Sequence, residues 1–206
     1  MKATGPLSRI RVVLSRPSHP GNIGSAARAM KTMGITQLCL VRPKRFPDAE
    51  ARAMAGGALD VLESALVCAD LDEALAGTVF SVALSARPRE LSHAPLDARA
   101  AARELVGAAQ RDAVAIVFGN ETVGLTNKEI MRCSRLVHIP ASEEYPSLNL
   151  AQAVQVMAYE VRMAALDPAR TSVAMKRRLG RSKVPIATVA VKRVLAASAV
   201  RPALPA

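Results

Sequence analysis

Three polar segments contain the residues of this chain that could bind a ligand. They cover residues 15–24, 119–125 and 140–149, and each combines Gly or Ser with side chains such as Asn, Glu or Arg. Small residues let backbone amides approach a ligand closely, and polar side chains can then orient it. The sequence therefore predicts a site built from three separate loops.

Several common catalytic motifs are missing from the sequence. No Gly-x-x-x-x-Gly-Lys-Ser/Thr segment occurs, residues 21–24 do not form Gly-x-Gly-x-x-Gly, and no His-Glu-x-x-His pair is present. The histidines His19, His93 and His138 are too scattered to argue a Ser-His-Asp triad. These patterns argue against a P-loop nucleotidase, a dinucleotide-binding Rossmann site, a zinc protease and a serine hydrolase.

The charge balance favours a polyanionic partner. The 206 residues include 28 Lys and Arg against 17 Asp and Glu, a formal net charge of +11. Aromatic residues make up only 2% and Trp is absent, so the stacking platforms of RRM and OB folds are not expected. A nucleic acid would be held by charge and shape.

The chain is expected to act in the cytoplasm, without a metal or a membrane. Cys39, Cys68 and Cys133 have no metal-ligand spacing, so we expect inert, mostly buried thiols. No apolar run is long enough to span a bilayer. Arg9 and Arg11 also interrupt any secretory apolar segment near the start.

Strands and helices alternate along the chain. Strands are predicted at 10–14, 37–41, 65–68, 79–84, 113–118 and 135–139, and helices at 23–33, 49–54, 97–107, 126–132 and 150–166. This alternation predicts an α/β fold with an open, mostly parallel sheet flanked by helices. Ligands of such sheets bind at the carboxyl ends of the strands, where the three polar segments lie.

Local signals mark several helix ends. Asn22 is predicted as an N-cap and Gly34 as the residue that ends the same helix. Thr126 and Glu129 form a capping-box pattern. The continuous apolar run 113–118 predicts a strand buried on both faces.

The chain divides into a domain of residues 1–166 and a basic appendage of residues 167–206. The appendage carries a basic cluster over 175–183, and residues 184–197 could form a helix. Either an RNA-binding arm or a flexible tail is consistent with this composition.

The polar segments resemble the three motifs of the SPOUT-superfamily RNA 2′-O-ribose methyltransferases, in family order and spacing. The motifs read RPSHPGNIGSAARAM at 16–30, IVFGNETVGL at 116–125, and IP through YPSLNLAQAV at 139–154. The first and third are most similar to those of bacterial tRNA (cytidine/uridine-2′-O)-methyltransferases, which modify position 32 of the anticodon loop. The resemblance covers about residues 8–165.

The resemblance implies a homodimer with a C-terminal trefoil knot, tRNA as substrate and S-adenosyl-L-methionine as cofactor. By similarity, the cofactor lies against loops that follow three strands. The residues implied in cofactor binding are Leu84, Ser85, Ala86, Gly119, Ile139, Pro146, Ser147 and Leu148.

The resemblance also implies catalytic roles for Arg28, Asn22, Glu121, Ser147 and Asn149. Arg28 is expected to orient the ribose hydroxyl, help its deprotonation or clamp the adjacent phosphate. An electrostatic role suits a guanidinium best, because it almost never loses its proton. Asn22 is expected to connect the first motif to the third, Glu121 to accept backbone N–H groups, and Asn149 to cap the last helix and reach the substrate.

Two departures from the family pattern leave alternatives open. Asn120 stands where relatives often have Arg, and residues 167–206 do not look like the longer helical extension of relatives. The alternatives are a methyltransferase acting on ribosomal RNA and an RNA-binding SPOUT-fold protein without turnover.

Overall fold

The computed structural model describes residues 5–87 and 95–167. Seven strands form within these ranges: β1 (Ile10–Ser15), β2 (Gln37–Val41), β3 (Leu66–Cys68), β4 (Thr78–Leu84), β5 (Leu96–Asp97), β6 (Ala113–Phe118) and β7 (Arg135–His138). All of them belong to one parallel sheet, in the order β3-β2-β1-β6-β4-β7-β5. The predicted α/β fold is confirmed.

Helices connect the strands. They are α1 (Pro20–Thr32), α2 (Ala49–Ala55), α3 (Leu59–Glu63), α4 (Leu71–Leu75), α5 (Ala98–Ala109), α6 (Asn127–Ile130) and α7 (Leu150–Leu166), with 3₁₀ turns at Pro6–Arg9 and Gly56–Ala58. The helix predicted to reach residue 132 ends at Ile130, and the strand predicted to reach residue 139 ends at His138. The short elements α3, α4 and β5 were not predicted.

The sheet is packed on both faces. Along β6, Val114, Ile116 and Phe118 face the larger core, whereas Ala115 and Val117 face the smaller one. Helices α1, α2, α5 and α7 cover the larger core, and α4 and α6 cover the other. The continuous apolar run of β6 is therefore buried on both faces, as its sequence predicts.

Helix α1 begins earlier than predicted. Pro20 occupies its first turn and His19 stands at the N-cap position, so Asn22 lies inside the helix and is not its cap. Proline suits a first turn because its missing N–H would have no partner there. At the other end, Gly34 has φ +83°, and the amides of Gly34 and Ile35 bond back to Lys31 and Met30 in a Schellman arrangement, as the glycine predicted.

A close helix crossing explains one glycine of the first polar segment. A Cβ atom added at Gly24 in α1 would lie 2.0 Å from the carbonyl oxygen of Ala51 in α2. Only glycine allows this approach. Gly24 therefore serves the packing of α1 against α2.

The cysteine thiols lie in or near the smaller core. Cys39 and Cys68 are buried on neighbouring strands with their Sγ atoms 3.0 Å apart, and Cys133 is partly buried. Burial, followed by the hydrogen bond with Cys68, raises the pKa of Cys39 to about 12. The Cys39 thiol therefore stays protonated and unreactive at neutral pH.

Some sequence predictions fall outside the described residues. These are His93, the basic cluster at 175–183, and the helix at 184–197. Within the described ranges, no helix is long and apolar enough to cross a bilayer, and no group of His, Cys, Asp and Glu could hold a metal ion.

Candidate active site

A cavity of about 290 Å³ opens at the carboxyl ends of β4, β6 and β7. Leu84, Ser85 and Ala86 line it from the end of β4, and Gly119 from the end of β6. Ile139 and residues 146–148 line it from the segment after β7. The structure thus brings all the residues predicted to contact a cofactor to one cavity, at the edge where an open α/β sheet binds its ligands.

The segment after β6 folds tightly against itself. A Cβ atom added at Gly119 would lie 2.3 Å from the carbonyl carbon of Gly124, and Gly124 has φ +68°. Asn120 accepts the amides of Thr122 and Val123 at Oδ1 and donates from Nδ2 to the carbonyl of Arg16 at 2.8 Å. Asn120 therefore shapes this loop and attaches it to the segment after β1.

Glu121 binds the segment between β1 and α1. Its carboxylate accepts hydrogen bonds from the Ser18 amide (2.8 Å), the Ser18 hydroxyl (2.7 Å) and the His19 amide (3.1 Å). Nδ2 of Asn22 donates a further bond at 3.0 Å. One carboxylate thus fixes the start of α1 against the end of β6.

Asn22 extends this network to α7. Its Oδ1 accepts a hydrogen bond of 2.9 Å from Nδ2 of Asn149, and Oδ1 of Asn149 accepts the amides of Ala151 and Gln152. Asn149 therefore caps α7, as expected, and Asn22 connects the first polar segment to the third. The three segments form one hydrogen-bonded unit beside the cavity.

Comparisons with known proteins agree with this geometry. Residues 9–159 match the SpoU rRNA Methylase family. The chain belongs to this family. The matched residues include all strands of the sheet, the residues that line the cavity and the three connected segments.

Relatives of this SpoU-family chain include tRNA methyltransferases. It is 51% identical to the tRNA (cytidine/uridine-2′-O-)-methyltransferase TrmJ of Sodalis glossinidius (strain morsitans), over 80% of this chain and 64% of that protein. It is 53% identical to the tRNA (cytidine/uridine/adenosine-2′-O-)-methyltransferase TrmJ of Pseudomonas aeruginosa (strain UCBPP-PA14), over 78% and 63%. The match therefore spans less than two thirds of either relative.

A solved structure shares the fold of this SpoU-family chain. A probable methylase family protein from Haemophilus influenzae Rd KW20 is 43% identical and superposes with a TM-score of 0.74, covering 88% of this chain and 73% of that one.

The environment of Glu121 keeps it ionised. Burial alone would raise its pKa, but the hydrogen bonds from Asn22 and Ser18 outweigh burial and lower the pKa to about 2. Because donors also surround both oxygens, Glu121 is a poor proton acceptor. Its geometry suits a positioning residue.

Arg28 lies apart from the other predicted catalytic residues. It is exposed on α1, beside Gly56 at the end of α2, and is not among the described residues that line the cavity. Ser147 and Glu121 line the cavity, and Asn22 and Asn149 join Glu121 in the hydrogen-bond network beside it. A single chain does not bring Arg28 to this site.

Glu129 has a second role that sequence reasoning missed. It completes the predicted capping box with Thr126, but it also accepts hydrogen bonds from the Ser15 hydroxyl and, at 2.9 Å, from Arg16 Nη2. Burial opposes ionisation, yet the bonds from Ser15 and Thr126 and the charge of Arg16 lower the pKa of Glu129. The only sequence signal was the capping box, which does not indicate contacts with the end of β1.

Proposed function

We propose that this protein is an S-adenosyl-L-methionine-dependent RNA methyltransferase that methylates a ribose 2′-hydroxyl in tRNA. The observation that carries the proposal is the cavity formed by Leu84–Ala86, Gly119, Ile139 and residues 146–148 beside the Glu121–Asn22–Asn149 network. The resemblance indicates C or U at position 32 of the anticodon loop as the target. The names of the two TrmJ relatives support a tRNA substrate.

The cavity residues fit the proposed cofactor. Leu84 and Ile139 provide apolar walls, and Leu148 is 37% exposed on the same cavity, which leaves an apolar surface for an adenine ring. Gly119 borders the same cavity, and its missing side chain lets the backbone of Gly124 pack closely and shape the loop there. When bound, S-adenosyl-L-methionine would supply an electrophilic methyl group.

The residues of the chain contribute mainly by positioning. Methyl transfer needs the ribose oxygen in line with the methyl carbon, and a fixed geometry of this kind can supply several kcal/mol of the barrier reduction. The Glu121–Asn22–Asn149 network holds the three loops in one arrangement before the substrate binds. Ser147, on the cavity wall, is suited to hydrogen-bond the substrate or the cofactor.

Arg28 acts in this proposal as an electrostatic clamp for the hydroxyl or its neighbouring phosphate. Since Arg28 does not line the cavity of its own chain, it needs either bound RNA or a second copy of the chain to meet the reacting atoms. The homodimer and the trefoil knot implied by the resemblance belong to the same proposal. Mixing Arg28→Ala protein with Ser147→Ala protein tests the second copy: activity that returns on mixing would mean that the site is shared between subunits.

The test of the function is methyl transfer from labelled S-adenosyl-L-methionine to unmodified tRNA transcripts. A parallel set carries 2′-deoxyribose at position 32, with C, U or A as the base. Label that enters the ribose transcripts and is lost with the deoxyribose transcripts would support the reaction, the atom and the position together.

Two results would overturn parts of the proposal. Label on ribosomal RNA but on no tRNA would mean that the reaction is as proposed and that the substrate is ribosomal RNA. If the protein binds RNA and cofactor but transfers no label to any RNA, it is an RNA-binding protein without methyltransferase turnover.

A further inference from the structure

A second cavity lies at the same edge of the sheet, on the other side of the segment that joins β1 to α1. It measures about 360 Å³ and opens at the carboxyl ends of β1, β2 and β3, with one wall from α6. We call it the β1–β3 groove. Its basic lining residues are Arg16, Arg42, Lys128 and Arg132.

Two arginines of the groove have left-handed backbones. Arg16 has φ +52° and Arg42 has φ +45°, and within the described ranges they are the only residues other than glycine with positive φ. Each follows a strand and donates its amide to the neighbouring strand, Arg16 to Val41 and Arg42 to Cys68. Glycine would adopt these angles without strain, and strained residues concentrate at functional sites.

The carboxylates of the groove already have partners. Glu129 binds Arg16 at 2.9 Å, Asp72 binds Arg132 at 3.0 Å, and Asp70 caps α4 through the amide of Glu73. Arg42 and Lys128 are both exposed, and neither has an ion pair or a side-chain hydrogen bond with any residue of 5–87 or 95–167. The groove thus has four cations against three carboxylates, and Arg42 and Lys128 are the two of these cations without an ion pair within the described residues.

The groove is connected to the proposed active site. The carbonyl of Arg16 accepts Nδ2 of Asn120, and the next residues, Ser18 and His19, are bound by Glu121. The segment between β1 and α1 and the loop after β6 therefore join the groove to the cavity. Arg and Lys are the side chains that bind phosphates in nucleic acids.

We propose that the β1–β3 groove binds the phosphodiester backbone of the substrate RNA next to the methylated nucleotide, through Arg42 and Lys128. This inference rests on the proposed RNA methyltransferase function. It adds an RNA contact on the side of the β1–α1 segment that faces away from the cofactor cavity. The contact is to phosphate, so it carries affinity and not base specificity.

Substitution of both free cations tests the groove. In the full chain, Arg42→Gly removes a charge and suits the left-handed backbone, so the melting temperature should stay equal or rise while RNA binding weakens. Combined with Lys128→Ala, it should weaken binding of a tRNA transcript about tenfold and reduce the slope of log affinity against log salt by about 2. The KM for RNA should rise, with kcat at saturating RNA and cofactor affinity unchanged.

Arg111→Ala is the matched control. Arg111 is exposed between α5 and β6, at the opposite edge of the sheet, and its loss changes the net charge by the same amount as each groove substitution. Unchanged RNA affinity and salt slope in the double variant would overturn the groove, as would an equal loss per charge in Arg111→Ala. If the unsubstituted protein methylates no RNA, the proposed function itself fails. If it methylates RNA but the groove substitutions do not change RNA binding, only the groove proposal fails.

Discussion

Nδ2 of Asn149 donates a 2.9 Å hydrogen bond to Oδ1 of Asn22, although 127 positions separate the two residues in the chain. The same Asn149 caps α7, and the same Asn22 donates to Glu121. Each side-chain amide donates through its nitrogen to one partner and accepts through its oxygen from the other. Exchanging the nitrogen and the oxygen of either amide would therefore break its bonds to both partners. The orientation of both side chains is therefore determined by the network.

Asn22→Ala should lower kcat about 10- to 100-fold. The substitution removes both bonds of Asn22, so the start of α1 and the cap of α7 lose their connection, and small displacements at a reacting centre cost rate of this order. Steady-state methyl transfer measures the effect. Thr32→Ala, at the far end of α1, is the control and should keep its activity; equal losses would mean that α1 is simply destabilised.

Glu121→Gln should change how stability depends on pH. The folded pKa of Glu121 is about 2 against an ordinary 4.5, so its ionised form stabilises the fold above about pH 4.5, and this contribution is lost as the pH falls towards 2. The glutamine variant should be less stable at pH 7 by about 1–3 kcal/mol, because its amide nitrogen must face either the two donors of Ser18 or the donors of His19 and Asn22 and can accept from neither set. The difference should shrink in acid, as measured by urea unfolding at several pH values. A constant difference across that range would contradict the low pKa.

Gly24→Ala should destabilise the fold by about 1–3 kcal/mol. The new Cβ would lie 2.0 Å from the carbonyl oxygen of Ala51, so α1 and α2 must separate, and that cost exceeds the helix propensity gained by alanine. Thermal or urea unfolding measures the change. Gly57→Ala is the matched control, because no atom lies within 4 Å of its added Cβ, and it should be near neutral.

Arg28→Ala should lower kcat about 100-fold without changing cofactor affinity, if its charge meets the hydroxyl or the adjacent phosphate. Arg28→Lys keeps the charge but loses the planar fork, and should recover part of the rate. Single-turnover methyl transfer and calorimetric titration of the cofactor separate the two effects. Full activity in Arg28→Ala would show that this residue is an ordinary solvated side chain of α1.

Patterns of neighbouring residues were enough to predict several strands and helix ends. The apolar run of β6, the helix end at Gly34 and the capping box at Thr126 were all recognisable from neighbouring residues. The start of α1 was predicted wrongly, because Asn22 is a good N-cap residue and Pro20 was assigned to the preceding loop. The elements α3, α4 and β5 are too short to establish a periodicity.

The site depended more on resemblance and on long-range contacts. The family resemblance grouped Leu84, Gly119 and Ile139, which line one cavity, and composition could not have done so. The bonds from Glu129 to Ser15 and Arg16 join residues more than a hundred positions apart, and no local pattern announces them. The same is true of the bond from Asn120 to the carbonyl of Arg16, which joins residues 104 positions apart.

Glu121 and Glu129 hold the two ends of one segment against the same partner, the chain between Ser15 and Asn22. The number of residues between the two carboxylates is consequently as constrained as their identity. An insertion at Val123, exposed at the tip of this segment, would disturb the turn in which Asn120 accepts the amides of Thr122 and Val123, and with it the contact of Asn120 with Arg16. The length of this segment therefore matters, and a single inserted residue should destabilise the protein more than most substitutions between Glu121 and Glu129.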